Sequence, residues 1–258
     1  MAKILSNDEF ISSYFDQFHH KLLKFTKPSR SQADHDMAIC CYVDVFEGIG
    51  SSSIKYADSI LPILKSALED HDGLEVARRN AAYCLGVLIE AAGKELSSRY
   101  MQFLQWLHPV CIRSEQENVG GGAVDNSLAA VAKMILVAPE AIPLSQVLSV
   151  MFAALPMRED FGESPVVLKA FLHLLQTNDP TIIGMVKDLV PVLVENFKPD
   201  SEVPDATRDL AAEAIGILAA DSSCRDSVYA YLSTIKDSEH IKKLQTGLSV
   251  YGIEWKGK

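Results

Sequence analysis

The chain has 258 residues, 48% of them hydrophobic and 22% charged, enough to bury a large core without a metal or a disulfide to staple it. Its 24 basic and 34 acidic residues leave a formal charge of −10, which argues against a surface built to neutralise nucleic-acid phosphates or anionic lipid and points to a basic partner. Five cysteines (Cys40, Cys41, Cys84, Cys111, Cys224) form an odd set with no CxxC pair, and three of them fall in helical sequence, so they read as free thiols in a reducing compartment.

The segment Ala2 to Glu9 has neither a basic stretch before a long apolar run nor a small-residue cleavage site, so it does not read as a signal peptide. Apolar periodicity predicts a first helix over 7–25, closed by Lys27-Pro28-Ser29, and a second over 34–48 that runs out at Gly50. Helices over 53–69 and 75–92 follow, separated by Asp70-His71-Asp72-Gly73, with Gly93 at the position where a helix ends in a left-handed residue. Next come 96–113 and 124–137, joined by a long connection over 114–122 that ends in Gly120-Gly121-Gly122. The remaining pairs are 144–155 with 165–176, 181–197 with 206–220, and two shorter helices over 225–235 and 238–251. The longest apolar stretch, Leu128 to Ala138, is broken by Lys133 and falls short of the roughly 20 residues that cross a bilayer.

Apolar columns recur along these pairs. Tyr42, Leu85, Val131, Leu172 and Ile215 stand 43, 46, 41 and 43 residues apart, and Val45, Leu88, Met134, Leu175 and Leu218 repeat the same spacing. A helix pair of this length cannot bury both apolar faces alone, so neighbouring pairs must stack. The expected fold is all-α, an α-solenoid of HEAT-type hairpins in a single array of about five and a half repeats. The repeats are expected at about 7–50, 53–93, 96–139, 144–180 and 181–221, followed by C-terminal helices over 225–251.

In the helix over 75–92, Ala81, Leu85, Leu88 and Ala92 make the buried stripe, leaving Arg79, Tyr83, Gly86 and Glu90 facing elsewhere. Superposed on the columns, Glu47 falls onto Glu90, and the helix starts align Asp36, Arg79, Asp125, Val166 and Asp209. Asp44 and Glu213 add to the same side. Carboxylates repeated across stacked second helices sum their fields and attract a Lys/Arg-rich segment. The expected charge partners are Asp44, Glu47, Glu90, Asp125, Asp209 and Glu213, with Tyr83 and Asn126 as neighbouring hydrogen-bond groups.

Catalytic motifs fare poorly. The dipeptides His35-Asp36 and His71-Asp72, with His19 or His20, invite comparison with helical HD phosphohydrolases, yet both dipeptides sit where Asp caps a helix. The triple glycine precedes a helix whose N–H groups could hold a phosphate, but no Lys-Ser or Lys-Thr follows it, and Asp125, Glu115 and Glu117 would repel the anion. No nucleophile elbow, His-Glu-x-x-His or Cys/His set is present, so neither an enzyme nor a cofactor or metal is expected.

Arg78-Arg79-Asn80-Ala81-Ala82-Tyr83-Cys84-Leu85-Gly86-Val87-Leu88, then Val124 to Ala132, then Leu155-Pro156-Met157-Arg158-Glu159-Asp160, together with Ala33 to Ile39, resemble the C-terminal HEAT repeats of importin-β-type nuclear transport receptors. Within these karyopherins the likeness is greatest to the branch that imports ribosomal proteins and histones, and it covers about 18–253. The resemblance implies a C-terminal part of a longer receptor that shuttles between cytoplasm and nucleus through the nuclear pore. It implies basic cargo, contact with FG nucleoporins, and Ran GTPase docking mainly on repeats outside this chain. It implies neither direct nucleic-acid binding nor membrane insertion. Phe103 and Trp106 would then line an outer pocket for nucleoporin phenylalanines, or else pack in the core. A HEAT scaffold or regulatory subunit unrelated to transport is the alternative.

Overall fold

The computed structural model describes residues 7–27, 29–70, 75–112, 121–253 and 255, and no strand occurs among them. Among the described residues fourteen α-helices follow one another: α1 (Asn7–Phe10), α2 (Asp16–Leu22), α3 (Gln32–Ile49), α4 (Ala57–Glu69), α5 (Glu75–Ala92), α6 (Tyr100–Ile112), α7 (Gly121–Val137), α8 (Leu144–Ala154), α9 (Ser164–Gln176), α10 (Pro180–Gly184), α11 (Val186–Glu195), α12 (Asp205–Ala220), α13 (Arg225–Leu232) and α14 (Ser238–Ser249). A π-helical turn over Ile11–Phe15 joins α1 to α2, so the first helix is continuous. The helices divide into two compact units, Met1–Ile142 and Pro143–Lys258.

In the first unit α3, α5 and α7 pack side by side, α4 lies against α5 and α6, and α6 lies against α7. Second helices therefore form one layer and first helices the other. The apolar columns supply the seam: Tyr42, Leu85, Leu88 and Met134 are wholly buried, and Val131 nearly so. Each first helix α4, α6 and α11 carries an internal proline, Pro62, Pro109 and Pro191. A proline there removes one ladder hydrogen bond and bends a first helix.

The stretch from α3 to α4 is long and apolar enough to cross a bilayer by composition alone. Here the α-helix ends at Gly50, whose φ is 56°, and the chain folds Ile39, Tyr42, Phe46, Ile60 and Leu64 into the core. Ser31 starts α3 with a capping box, accepting the Asp34 N–H while the Asp34 carboxylate accepts the Ser31 N–H.

The N-terminal helix is held to α3 by an aromatic cluster. The Phe15 ring meets Tyr42 and Tyr56 edge-on, with centroids 6.2 and 4.8 Å away, and His19 Nδ1 shares a buried 2.9 Å hydrogen bond with the Tyr42 hydroxyl. Asp16 accepts hydrogen bonds from Lys55 Nζ and from Tyr56 Oη, each at 2.7 Å, and these hold its carboxyl below the usual range. Burial, helped by the neighbouring His20, pushes the His19 imidazole below its ordinary 6.5.

Between its lowered folded value and 6.5 the unfolded chain binds the extra proton at His19, so stability rises with pH across that window. The His19 contribution is complete above about pH 6.5 and declines below it. Urea titrations from about pH 7.5 to about pH 5.5 should show a steeper loss for the wild type than for His19→Gln. Parallel curves would remove His19 as the cause.

In the second unit α9 and α12 pack side by side, as do α12 and α14; α11 lies against α8, α12 and α13. Leu172, Leu175, Ile215 and Leu218 continue the two columns, and a buried 2.7 Å hydrogen bond joins Ser164 to Thr207 at the starts of α9 and α12.

Helix α7 begins at Gly121, three residues before the start read from the sequence, because a glycine run looks like a loop. A side chain from α5 stabilises that start: the Ala123 N–H donates to Glu75 Oε1 at 2.9 Å. A carboxylate at a helix N-terminus satisfies an orphan donor and faces the positive end of the dipole. Glu75→Ala should cost about 1 kcal/mol, measured by urea melts, and a change below about 0.3 kcal/mol would deny the cap.

Candidate protein-interaction surface

The second-helix layer of the first unit carries a connected polar row. Asp44 and Glu47 stand exposed on α3, one turn apart, and Glu90 stands exposed near the end of α5. The half-buried Tyr83 hydroxyl donates to Glu47 Oε1 at 3.1 Å, tying α5 to α3. Lys133 on α7 reaches Glu90 Oε2 at 3.1 Å, and its ammonium lies 5.7 Å from the centre of the Tyr83 ring. The Lys133 side chain is only 10% exposed while that of Glu90 is 68% exposed, so the lysine stem packs inside and only its head emerges. Three of the expected residues, Glu47, Tyr83 and Glu90, are thus joined on one face directly or through Lys133, while Asp44, one turn before Glu47, lines a cavity with Phe10, Tyr14 and Phe18 of the N-terminal helix.

Asp125 and Asn126 do not join them. Every residue of α7 from Gly121 to Ile135 is buried, and Asp125 and Asn126 are 0% and 2% exposed. Helical periodicity places polar residues on the outer side, but this helix is enclosed all round, which also accounts for its unusually apolar sequence. Neither side chain can present itself to a partner. Phe103 and Trp106 are corrected likewise: at 0% and 5% exposure, with ring centroids 5.3 Å apart, they belong to the α6 core rather than to a nucleoporin pocket.

Sequence reading overlooked Lys133 as a member of this face, although a lysine inside an apolar run was the available signal. Glu75 had none, because the contact is tertiary.

In the second unit the acidic pair lies on α12. Asp209 is exposed, Glu213 is half-buried, and Gln176 Nε2 on α9 donates to Glu213 Oε1 at 3.0 Å.

The alternatives from other chemistries gain nothing from the geometry. His35 Nε2 meets the Lys27 carbonyl at 2.9 Å, Asp36 accepts from Gln32 at 3.1 Å, and His19 is engaged with Tyr42. Among the described residues no group of His, Cys, Asp and Glu side chains is placed to hold a metal ion. His71, Asp72, Gly73 and Gly120 lie outside the described residues. An anion at the start of α7 would meet the Glu75 carboxylate. Burial pushes the Cys84 thiol far up and that of Cys111 up to about 12, and burial also raises Cys40 and Cys41, the opposite of an activated nucleophile.

Hairpins whose second helices stack in sequence order, with an apolar seam repeated along them, define an α-solenoid of HEAT type. No family model matches the chain. It is 32% identical over 178 residues to the probable importin subunit beta-4 of Schizosaccharomyces pombe, a match covering 69% of this chain and 16% of that protein. It is 26% identical over 253 residues to human Importin-4, covering 98% of this chain and 22% of the relative. Mouse Importin-4 matches at 25% over 226 residues, covering 88% and 20% respectively. The chain belongs to the importin-β family. It spans about a fifth of the length of the curated relatives it matches.

Proposed function

We propose that this chain is a cargo-receiving segment of a nuclear import receptor of the importin-4 type, built as a HEAT array of about five and a half repeats. It reversibly captures Lys/Arg-rich proteins, histones and ribosomal proteins being the expected class, on the polar side of its second helices. The observation that carries this reading is the exposed trio Asp44, Glu47 and Glu90 on neighbouring helices, in a chain of net charge −10. The residues assigned to the contact are those three with Tyr83 in the first unit, and Asp209 with Glu213 in the second.

Capture and release require no bond to be made or broken, so the reading contains no catalytic step. Release by Ran is assigned chiefly to parts of the receptor outside these residues, FG nucleoporins are further expected partners, and such a receptor shuttles between cytoplasm and nucleus through the pore. Exposed carboxylates act through screened fields, so affinity for basic cargo should fall as salt rises.

The test is capture from a cytosolic extract at low and at physiological salt. The expected result is several basic proteins that salt releases together. Retention of one fixed, stoichiometric, salt-resistant partner would instead make the chain a structural scaffold.

A further inference from the structure

The N-terminal helix carries two apolar stripes. Ile11, Phe15, His19 and Leu22 turn inward and are buried, while Phe10, Tyr14, Phe18 and Lys21, three or four positions apart, make a second line along the helix. Tyr14 and Phe18 stay 49% and 46% exposed, so this second line leaves ring faces open instead of filling the core. Together with the side of α3 that bears Cys41 and Asp44, it lines an open cavity of about 480 Å³. The Phe10 ring stacks on that of Phe15, with centroids 6.2 Å apart and planes 14° apart, and this ties the exposed line to the buried one.

Asp44 supplies the carboxylate of this cavity. It is exposed and forms no ion pair with a described residue, Lys21 included. Burial first, then the charge of Asp44, raises the Cys41 thiol, which agrees with a carboxylate whose field reaches the cavity wall. The same unit shows what a ring and a carboxylate hold when they meet. Lys55 Nζ lies 2.7 Å from Asp16 Oδ1 and 5.6 Å from the centre of the Tyr56 ring. Lys133 Nζ lies 3.1 Å from Glu90 Oε2 and 5.7 Å from the centre of the Tyr83 ring. In both places a cation rests against a carboxylate and a ring at once. Asp44 with Tyr14 and Phe18 brings a carboxylate and rings to one cavity again, with no cation of the described chain paired to the carboxylate.

We infer that the cavity between the N-terminal helix and α3 seats one arginine side chain of the captured basic segment, its guanidinium on Asp44 and its plane against the rings of Tyr14 and Phe18. The inference rests on the reading of the second-helix face as the cargo surface and adds to it a preference for one kind of basic residue. The carboxylate selects a cation, and the ring walls select guanidinium over ammonium, because guanidinium is planar, stacks on aromatic faces and is more weakly hydrated. Its methylene stem covers apolar lining that a charge alone would leave wet. Lys21 in the lining repels a second basic side chain, so the cavity takes a single arginine while neighbouring residues of the segment meet Glu47.

The experiment titrates the chain at low salt with two labelled peptides, an oligolysine and the same oligolysine carrying one central arginine. Wild type should bind the arginine peptide more tightly by about twofold to fivefold, the effect of one exposed cation–π contact. Tyr14→Ala combined with Phe18→Ala should remove that preference and leave oligolysine binding in place, whereas Tyr14→Phe, which keeps the ring, should retain it. Both side chains are largely exposed, and circular dichroism melts check that the variants are folded. Equal binding of the two peptides by wild type would remove the arginine seat and leave the acidic face standing. A preference that survives in the folded double variant would overturn its assignment to this cavity. Sedimentation of the chain as a dimer that Phe18→Ala dissociates would give the cavity to a second copy and overturn it too. Absence of binding of either peptide at low salt would remove both the seat and the acidic-face reading beneath it.

Discussion

Replacing Tyr42 by alanine should destabilise the first unit by about 3–5 kcal/mol, the cost of emptying a large aromatic site in a close-packed core. Tyr42 is wholly buried, its ring lies 5.6 Å from Phe46 and 6.2 Å from Phe15, and its hydroxyl is the partner of His19 Nδ1. The substitution leaves a cavity and strips a hydrogen bond from a buried imidazole, and both effects act in the same direction. Domains are stable by only about 5–15 kcal/mol, so the N-terminal helix should come off α3 well before the rest of the protein melts. Urea melts followed by far-ultraviolet circular dichroism would show a first transition at lower denaturant. A loss below about 1 kcal/mol would mean that the aromatic cluster does not anchor that helix.

The second large effect is on binding. Asp44→Lys combined with Glu47→Lys should weaken capture of a basic segment by at least about 2- to 30-fold at low salt, because two exposed pairs contributing about 0.2–1 kcal/mol apiece are lost and each reversal adds a repulsion. The difference should shrink at physiological salt, where screening acts over about 8 Å. Stability should hold, since both residues are exposed. Glu90 is the wrong residue to reverse: it is the ion-pair partner of Lys133, whose side chain is 10% exposed, and Glu90→Lys would set two ammonium groups together at the edge of the core. Glu90→Gln keeps the packing and is the cleaner variant. Unchanged affinity in the Asp44, Glu47 double variant would take the first unit out of the contact.

Much of the architecture is legible in the chain because local and tertiary signals agree. The bounds of α5, Glu75–Ala92, match those read from the sequence, for its apolar stripe is regular and Gly93 ends it with φ +56°. The start of α7 is less legible, since its first residues are glycines and the group that caps them, Glu75, lies on another helix. The helix read over 181–197 is interrupted at Met185, between α10 and α11.

The candidate site divides in the same way. Asp44, Glu47 and Glu90 sit where periodicity puts them, on helices with one open side. Asp125 and Asn126 obey the same periodicity on a helix with no open side, and one helix's pattern does not say how many neighbours surround it. Lys133 was visible as an interruption in an apolar run, yet its reach to Glu90 follows from the packing of α7 on α5. Gly216 is a similar case: a glycine inside a helix signals a close approach without naming what approaches, which here is Tyr251.

The central claim is that the polar side of the second helices receives basic protein segments. Its most direct test is titration of the purified chain with histone and ribosomal-protein basic segments at low and physiological salt, beside an acidic control peptide. The account predicts selective binding of the basic segments that weakens as salt rises and no binding of the control; failure to bind any basic segment at low salt would contradict it.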